Sequence, residues 1–138
     1  MGAITVTAAS VGLVHPTRAE TWPVKLAATV TAGQLLYVNT SGSCGLVDTD
    51  NTATDVPFVV ALEGGVAGQV VSGLRKGAIS GATLTSLDYG ALVYASGTAG
   101  GLSTTPKVQC VGKVVPLSDP GLTKVLFVDI PWGHADYS

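Results

Sequence analysis

Charge is what this chain has least of: seven Lys and Arg with nine Asp and Glu make up 12% of its 138 residues, about half the usual share. A surface so sparsely charged has little to keep it solvated, so part of it is expected to be covered by another subunit or a partner. The seven bases (Arg18, Lys25, Arg75, Lys76, Lys107, Lys113, Lys124) are dispersed, and only Arg75 and Lys76 stand together. That leaves no positive stripe to displace counterions, and nucleic acid is not expected as a partner. No apolar run approaches the roughly 18 residues of a membrane helix, so no membrane is expected either.

Cysteine and histidine are equally scarce. Cys44 and Cys110 have no CxxC spacing, and no basic stretch followed by an apolar one opens the chain, so neither a zinc knuckle nor a secreted disulfide scaffold is expected. Two reduced, mostly buried thiols are the simpler reading, while a bridge between them is left open. The only histidines, His15 and His134, lie near opposite ends, so a Ser-His-Asp set would need the termini to meet. No serine has a GxSxG frame, and the nearest, Ser80 in Gly77-Ala-Ile-Ser80-Gly81, is one residue off.

Other spellings of chemistry fail on physical grounds. His134 and Asp136 supply two metal ligands where zinc needs three or four. Asp48-Thr-Asp50-Asn51 opens like a calcium loop but places Ala53 and Val59 where that loop needs glycine and glutamate. Gly64-Gly-Val-Ala-Gly68 precedes a strand, so no helix N-terminus is there to hold a phosphate. Asn39-Thr-Ser41 spells a glycosylation sequon with no secretory signal before it. No catalytic residue, cofactor or metal is expected, and the protein is read as a non-enzyme.

What is abundant is short apolar segments broken by 18 glycines. At the centre, residues 57–63 and 69–79 read as two strands joined by the glycine-rich turn 64–68, a hairpin. Alternation puts Phe58, Val60 and Leu62 on one face and Val59, Ala61 and Glu63 on the other. Before it come strands at 25–30, 34–39 and 44–47 and a polar loop at 48–55. After it come strands at 91–95 and 102–104, closed by a turn at 97–101, and longer strands at 108–117 and 122–130 about a turn at 118–121. In 108–117, Val111 and Val115 share one face and Val108, Cys110 and Val114 the other. Leu122, Leu126, Val128 and Ile130 fall together. Strands every eight to twelve residues, several apolar on both faces and with no helix of useful length, predict an all-β single domain. The pattern is that of a sandwich or barrel of short antiparallel strands over residues 25–131.

Residues 1–24 break that rhythm at Pro16 and Pro23 and read as an extended N-terminal arm, lying on its own domain or reaching onto a neighbour. The second reading is preferred and makes the arm separable. It marks Ile4, Val6, Val11, Val14 and Trp22 as partner or subunit contacts, with Trp132 in the tail 132–138. Aromatic residues beside prolines, Trp22 and Trp132 also suit sugar-stacking platforms, or packing of the termini on the body.

An ordered set of segments carries a resemblance. Ile4-Thr-Val-Thr-Ala-Ala-Ser10-Val11, Ala32-Gly-Gln-Leu-Leu-Tyr37 and Val60-Ala-Leu-Glu-Gly-Gly-Val-Ala-Gly-Gln-Val70 are followed by Tyr89-Gly-Ala-Leu-Val-Tyr-Ala-Ser96 with Ala99-Gly-Gly-Leu-Ser103. Val111-Gly-Lys113 and Lys124-Val-Leu-Phe-Val128 close the set. Together they resemble the small capsid decoration, or cement, proteins of tailed bacteriophages. The order and spacing across nearly the whole chain carry the match, since each segment alone is only strand and glycine turn. The resemblance implies a β-barrel or β-tulip-like domain, a homotrimer made in the host cytoplasm that sits on the outer surface of the virion. It would bind the major capsid protein of the expanded head and bridge capsomers. A trimeric receptor- or glycan-binding module of a phage fibre or spike stays open as the rival, as does a small virion hydrolase if His134 proved to matter.

Overall fold

The computed structural model describes residues 3–14, 19–47, 57–96, 100–105, 110–116 and 123–130. Within them the chain is nearly all β, with no α-helix and one 3-10 turn at Ala8–Ser10. Eleven strands join one antiparallel sheet that curls into a half-barrel, a barrel-like fold. They are β1 (Ala3–Ile4), β2 (Gly12–Leu13), β3 (Glu20–Lys25), β4 (Leu35–Val38), β5 (Cys44–Leu46), β6 (Val59–Ala61), β7 (Val70–Ser80), β8 (Leu92–Ala95), β9 (Leu102–Ser103), β10 (Cys110–Pro116) and β11 (Lys124–Asp129).

The expected central hairpin is β6 and β7, with Val60 opposite Leu74 and Ala61 opposite Gly73. β7 is the spine of the molecule. One of its edges carries β3 along residues 70–76 and then β2 at 79–80. The other edge carries β6 at 73–74 and then β11 at 76–79. Two branches therefore leave β7: β6, β4 and β5 in one direction, and β11, β10, β8, β9 and β1 in the other. The branch point is marked in the backbone. Leu74 and Ile79 face the same core although five residues apart, so the alternation flips between them, and Gly77 takes φ 148° there, a conformation closed to most side chains.

The split sheet produces two apolar clusters. The larger one gathers Leu35, Val60, Leu74, Ile79, Val93, Leu102, Val111, Val114, Leu126 and Val128 from both branches. The smaller one lies on the opposite face of the short branch and holds Leu36, Cys44, Val59, Ala61 and Val71 under Val24, Leu26 and Val30. Adjacent residues such as Leu35 and Leu36, or Val60 and Val59, enter different clusters, which is why several strands are apolar on both faces.

Two facings differ from the strict alternation. Phe58 packs with the Val59 cluster rather than with Val60 and Leu62, because β6 begins only at Val59 and Phe58 is outside the pleat. Val111 and Val114, expected on opposite faces, both enter the larger core. A β-bulge between Cys110 and Gly112 inserts one residue and shifts the phase.

The N-terminal segment is extended where described, and it lies on its own chain. β1 pairs with β9, Val6 bridges to Ala82, Thr83 N–H donates to the Thr5 carbonyl at 2.8 Å, and β2 pairs with the end of β7. It thus joins the far end of the long branch back to β7. Ile4 is a core residue at 9% exposure, with Val6 and Leu13 packed against the same core, so residues 3–14 lie against the body's own sheet where described. Strand pairing also begins before residue 25, at Glu20 of β3. The loop 48–55, Val108, the turn 118–121, Leu122, most of the turn 97–101 and the tail 132–138 lie outside the described residues.

Candidate functional site

Among the described residues, β3 carries the most exposed aromatic, Trp22. Its six residues pair with β7 along one edge, and among the described residues no strand pairs with the other. Leu26 N–H donates to Gln69 O at 2.8 Å, and alternation back from there turns the backbone groups of Val24 and Trp22 towards β7 and those of Pro23 outwards. The residue without an N–H therefore sits where a donor would face an unpaired edge, a known guard against edge-to-edge pairing.

Val24 is buried in the smaller cluster, whereas Trp22 is 52% exposed. Trp22 stands opposite Gly73, which offers no side chain to cover the indole. A register shift between Glu20 and Thr21 re-aims Glu20, whose Oε1 accepts from Arg75 Nη1 at 2.5 Å. Arg75 is the less exposed partner, at 24% against 58%. Ala19, Glu20, Thr21, Trp22 and Arg75 line a cleft of about 600 Å³.

The expected contact residues separate sharply. Ile4 is buried; Val6, Val11 and Val14 are half-buried; Trp22 is exposed. Trp132 lies outside the described residues. Val6 lies against Gly33, where an added Cβ would come within 2.4 Å of its Cγ1 and where φ is +93°. Val11 packs over Gly81 in the same way, its atoms 3.0 Å from such a Cβ. The structure thus brings four of the five described residues onto the body, while Trp22 stays 52% exposed.

Other apolar side chains are also exposed: Val70 at 64%, Val66 at 53%, Val38 at 45% and Leu92 at 44%. Val66 and Val70 flank the tip of the central hairpin, where Gln69 Oε1 accepts from Val66 N–H at 2.8 Å. Leu92 begins a row across the long branch, Leu92 to Lys113 to Phe127, beside a groove of about 300 Å³ that also takes in Cys110 and Asp129. Near the 84–90 loop, Lys124 Nζ donates to the Leu87 carbonyl and sits 5.3 Å from the centroid of the Tyr89 ring.

The residues weighed for chemistry are otherwise engaged or apart. Ser80 Oγ donates to the Ser10 carbonyl at 2.7 Å, tying the N-terminal segment to β7. Cys44 is buried in the smaller cluster and Cys110 is half-buried on β10, both free thiols. Burial pushes the Cys44 thiol upward. Among the described residues no three His, Cys, Asp or Glu side chains gather as metal ligands; His15, His134 and Asp136 lie outside them.

Compared with known proteins, the chain matches no family model, no curated protein and no solved structure. The pair that sequence reasoning missed is Glu20 with Arg75, 55 residues apart. No local pattern announces it, because it depends on β3 lying along β7.

Proposed function

We propose that this protein is a capsid decoration protein: a non-enzymatic homotrimer that binds the major capsid protein on the outer face of an expanded phage head and bridges capsomers. The observation that carries the reading is the exposure of Trp22, Val38, Val66, Val70 and Leu92 on a body with so few charges. A monomer has no use for that surface; a protein docked on a lattice and on its own copies covers it. A clamp that binds only the expanded lattice stabilises the shell by mass action, without chemistry. The ordered sequence resemblance points the same way. Its test is co-sedimentation with expanded and unexpanded shells stripped of the protein. Saturable uptake on the expanded shell alone is expected, and absence of uptake on both would sink the proposal. The Trp22 cleft, an indole wall beside a paired acid and base, favours the second reading, a trimeric receptor- or glycan-binding module of a fibre or spike.

A further inference from the structure

Residues 24–36 and 59–71, described throughout, repeat one another in space. They meet at an antiparallel bridge between Val30 and Gly65, where each N–H donates to the other's carbonyl at 2.9 Å. On either side of that bridge the hydrogen bonds recur with the two stretches exchanged. Gly33 N–H donates to the Ala61 carbonyl at 2.7 Å, and Gly68 N–H to the Leu26 carbonyl at 2.8 Å. Ala61 N–H donates to the Gln34 carbonyl and Leu26 N–H to the Gln69 carbonyl, both at 2.8 Å. Strand pairing follows the same rule, Leu36 opposite Val59 and Val71 opposite Val24. Each stretch turns at an Ala-Gly-Gln triplet whose glycine has φ 93°, the conformation this kind of turn asks of its third residue. In each, the glutamine Oε1 accepts from the N–H three residues back, Thr31 at 2.9 Å and Val66 at 2.8 Å. A local two-fold axis therefore makes the turns 31–34 and 66–69 equivalent.

Their surroundings are not equivalent. The first turn is covered by the N-terminal segment: a Cβ added at Gly33 would come within 2.4 Å of Val6 Cγ1 and 3.2 Å of Val11 Cγ2. Gly33 is buried, and Leu35 after it is fully buried in the same core as Ile4. At the second turn a Cβ added at Gly68 would meet nothing within 4 Å. Val70, the counterpart of Leu35, is 64% exposed, and Val66 beside it 53%. The bare turn also matches the covering segment in charge. Residues 64–72 carry none, as residues 3–14 carry none, and the two charges at the margin, Lys25 and Glu63, are of opposite sign. An ionised side chain docked there would give up hydration for little in return.

We propose that the turn 66–69, with Val66 and Val70, is the docking site for an extended, uncharged apolar segment of the major capsid protein, seated there as Val6 is seated on Gly33. One chain supplies one N-terminal segment for two equivalent turns and spends it on the first, so a second copy has none to spare and the occupant comes from another protein. The identity of that protein rests on the decoration reading; the docking site does not.

Two titrations test it. A labelled peptide of residues 1–14, carrying Ile4 and Val6, is added to the full chain, and wild type and variants are co-sedimented with expanded shells. Saturable peptide binding is expected, weakened about tenfold or more by Val70→Lys, by Val66→Glu and by Val6→Asp in the peptide, the loss typical of a buried anchor. Shell uptake should fall in the same two protein variants, and both readouts should be kept in Ser41→Lys, a charge added at an exposed site elsewhere. Because Val66 and Val70 are exposed, melting should be unchanged. Peptide binding that is absent, or that Val70→Lys and Val66→Glu leave intact, overturns the docking site. Uptake that survives both substitutions overturns the capsid protein as occupant, and self-association lost while uptake is kept replaces it with a second copy. If wild type sediments with neither expanded nor unexpanded shells, the decoration reading falls and takes the named partner with it, while the peptide titration still decides the site.

Discussion

At the scale of single residues, the two thiols differ by their neighbours rather than by their chemistry. Cys44 is 1% exposed among Leu36, Val59 and Ala61, and its thiol is raised from an ordinary value of 9.0 by desolvation. The folded state therefore keeps the Cys44 proton at a pH where the unfolded chain has lost it. Its contribution to stability is complete below the ordinary thiol range and falls as pH rises through the folded value. Denaturant titrations between pH 8 and pH 10 should show stability falling with pH, and Cys44→Ala should flatten that slope. Under native conditions a thiol reagent should modify the half-buried Cys110 first and reach Cys44 only as the chain unfolds. A second residue-scale prediction concerns Gly73, where an added Cβ would come within 2.4 Å of Val59 Cγ2 and 2.8 Å of its Cβ. Val59 is fully buried and β-branched, with little freedom to turn away. Gly73→Ala should cost about 1–3 kcal/mol by overpacking, read as a lower denaturation midpoint. Gly73→Ala with Val59→Ala should recover part of that loss.

At the scale of elements, the N-terminal segment decides whether the curled sheet holds. It pairs with β9 through β1 and with β7 through β2, and Ser80 reaches back to its Ser10 carbonyl. Replacing a buried Ile such as Ile4 with Ala typically costs about 2–5 kcal/mol, a large share of the roughly 5–15 kcal/mol that holds a domain folded. Deleting residues 1–14 removes Ile4 together with both short ladders. The truncated chain is expected to lose its cooperative melting transition; a truncation that melts as sharply as the full chain would show the segment to be an attachment after all. β3 is a different kind of element. Its inner edge is paired, its outer edge is guarded by Pro23, and Trp22 stands between. Chain pairing at that edge is discouraged, and the exposed Trp22 side chain stands beside it.

At the scale of the whole molecule, low charge sets the character of any association. The exposed apolar side chains among the described residues and a formal net charge of −2 predict a contact driven by burial of apolar surface, which salt screens little. Uptake on expanded shells should change less than threefold between 50 mM and 500 mM salt; a steep loss would place the binding energy in ion pairs instead. The co-sedimented protein should also saturate in multiples of three per lattice site.

The all-β class, the central hairpin and most strand positions were legible in sequence because each depends on short-range physics: apolar alternation and glycine between strands. Leu35 and Tyr37 could likewise be separated from Leu36 by parity alone. The phase of β10 could not, since the bulge at Cys110 arises from how that strand meets β8. The fate of residues 1–24 was also beyond reach. An alternating segment that ends in prolines reads the same whether it pairs with its own sheet or with a neighbour's, and only the positions of β7 and β9 choose between them. For the same reason the sequence by itself marked Trp22 as a candidate but was silent on Glu20 and Arg75. Trp22 stands out by residue type and by the proline beside it. The ion pair exists only because tertiary folding lays β3 along β7 with a register shift at Glu20.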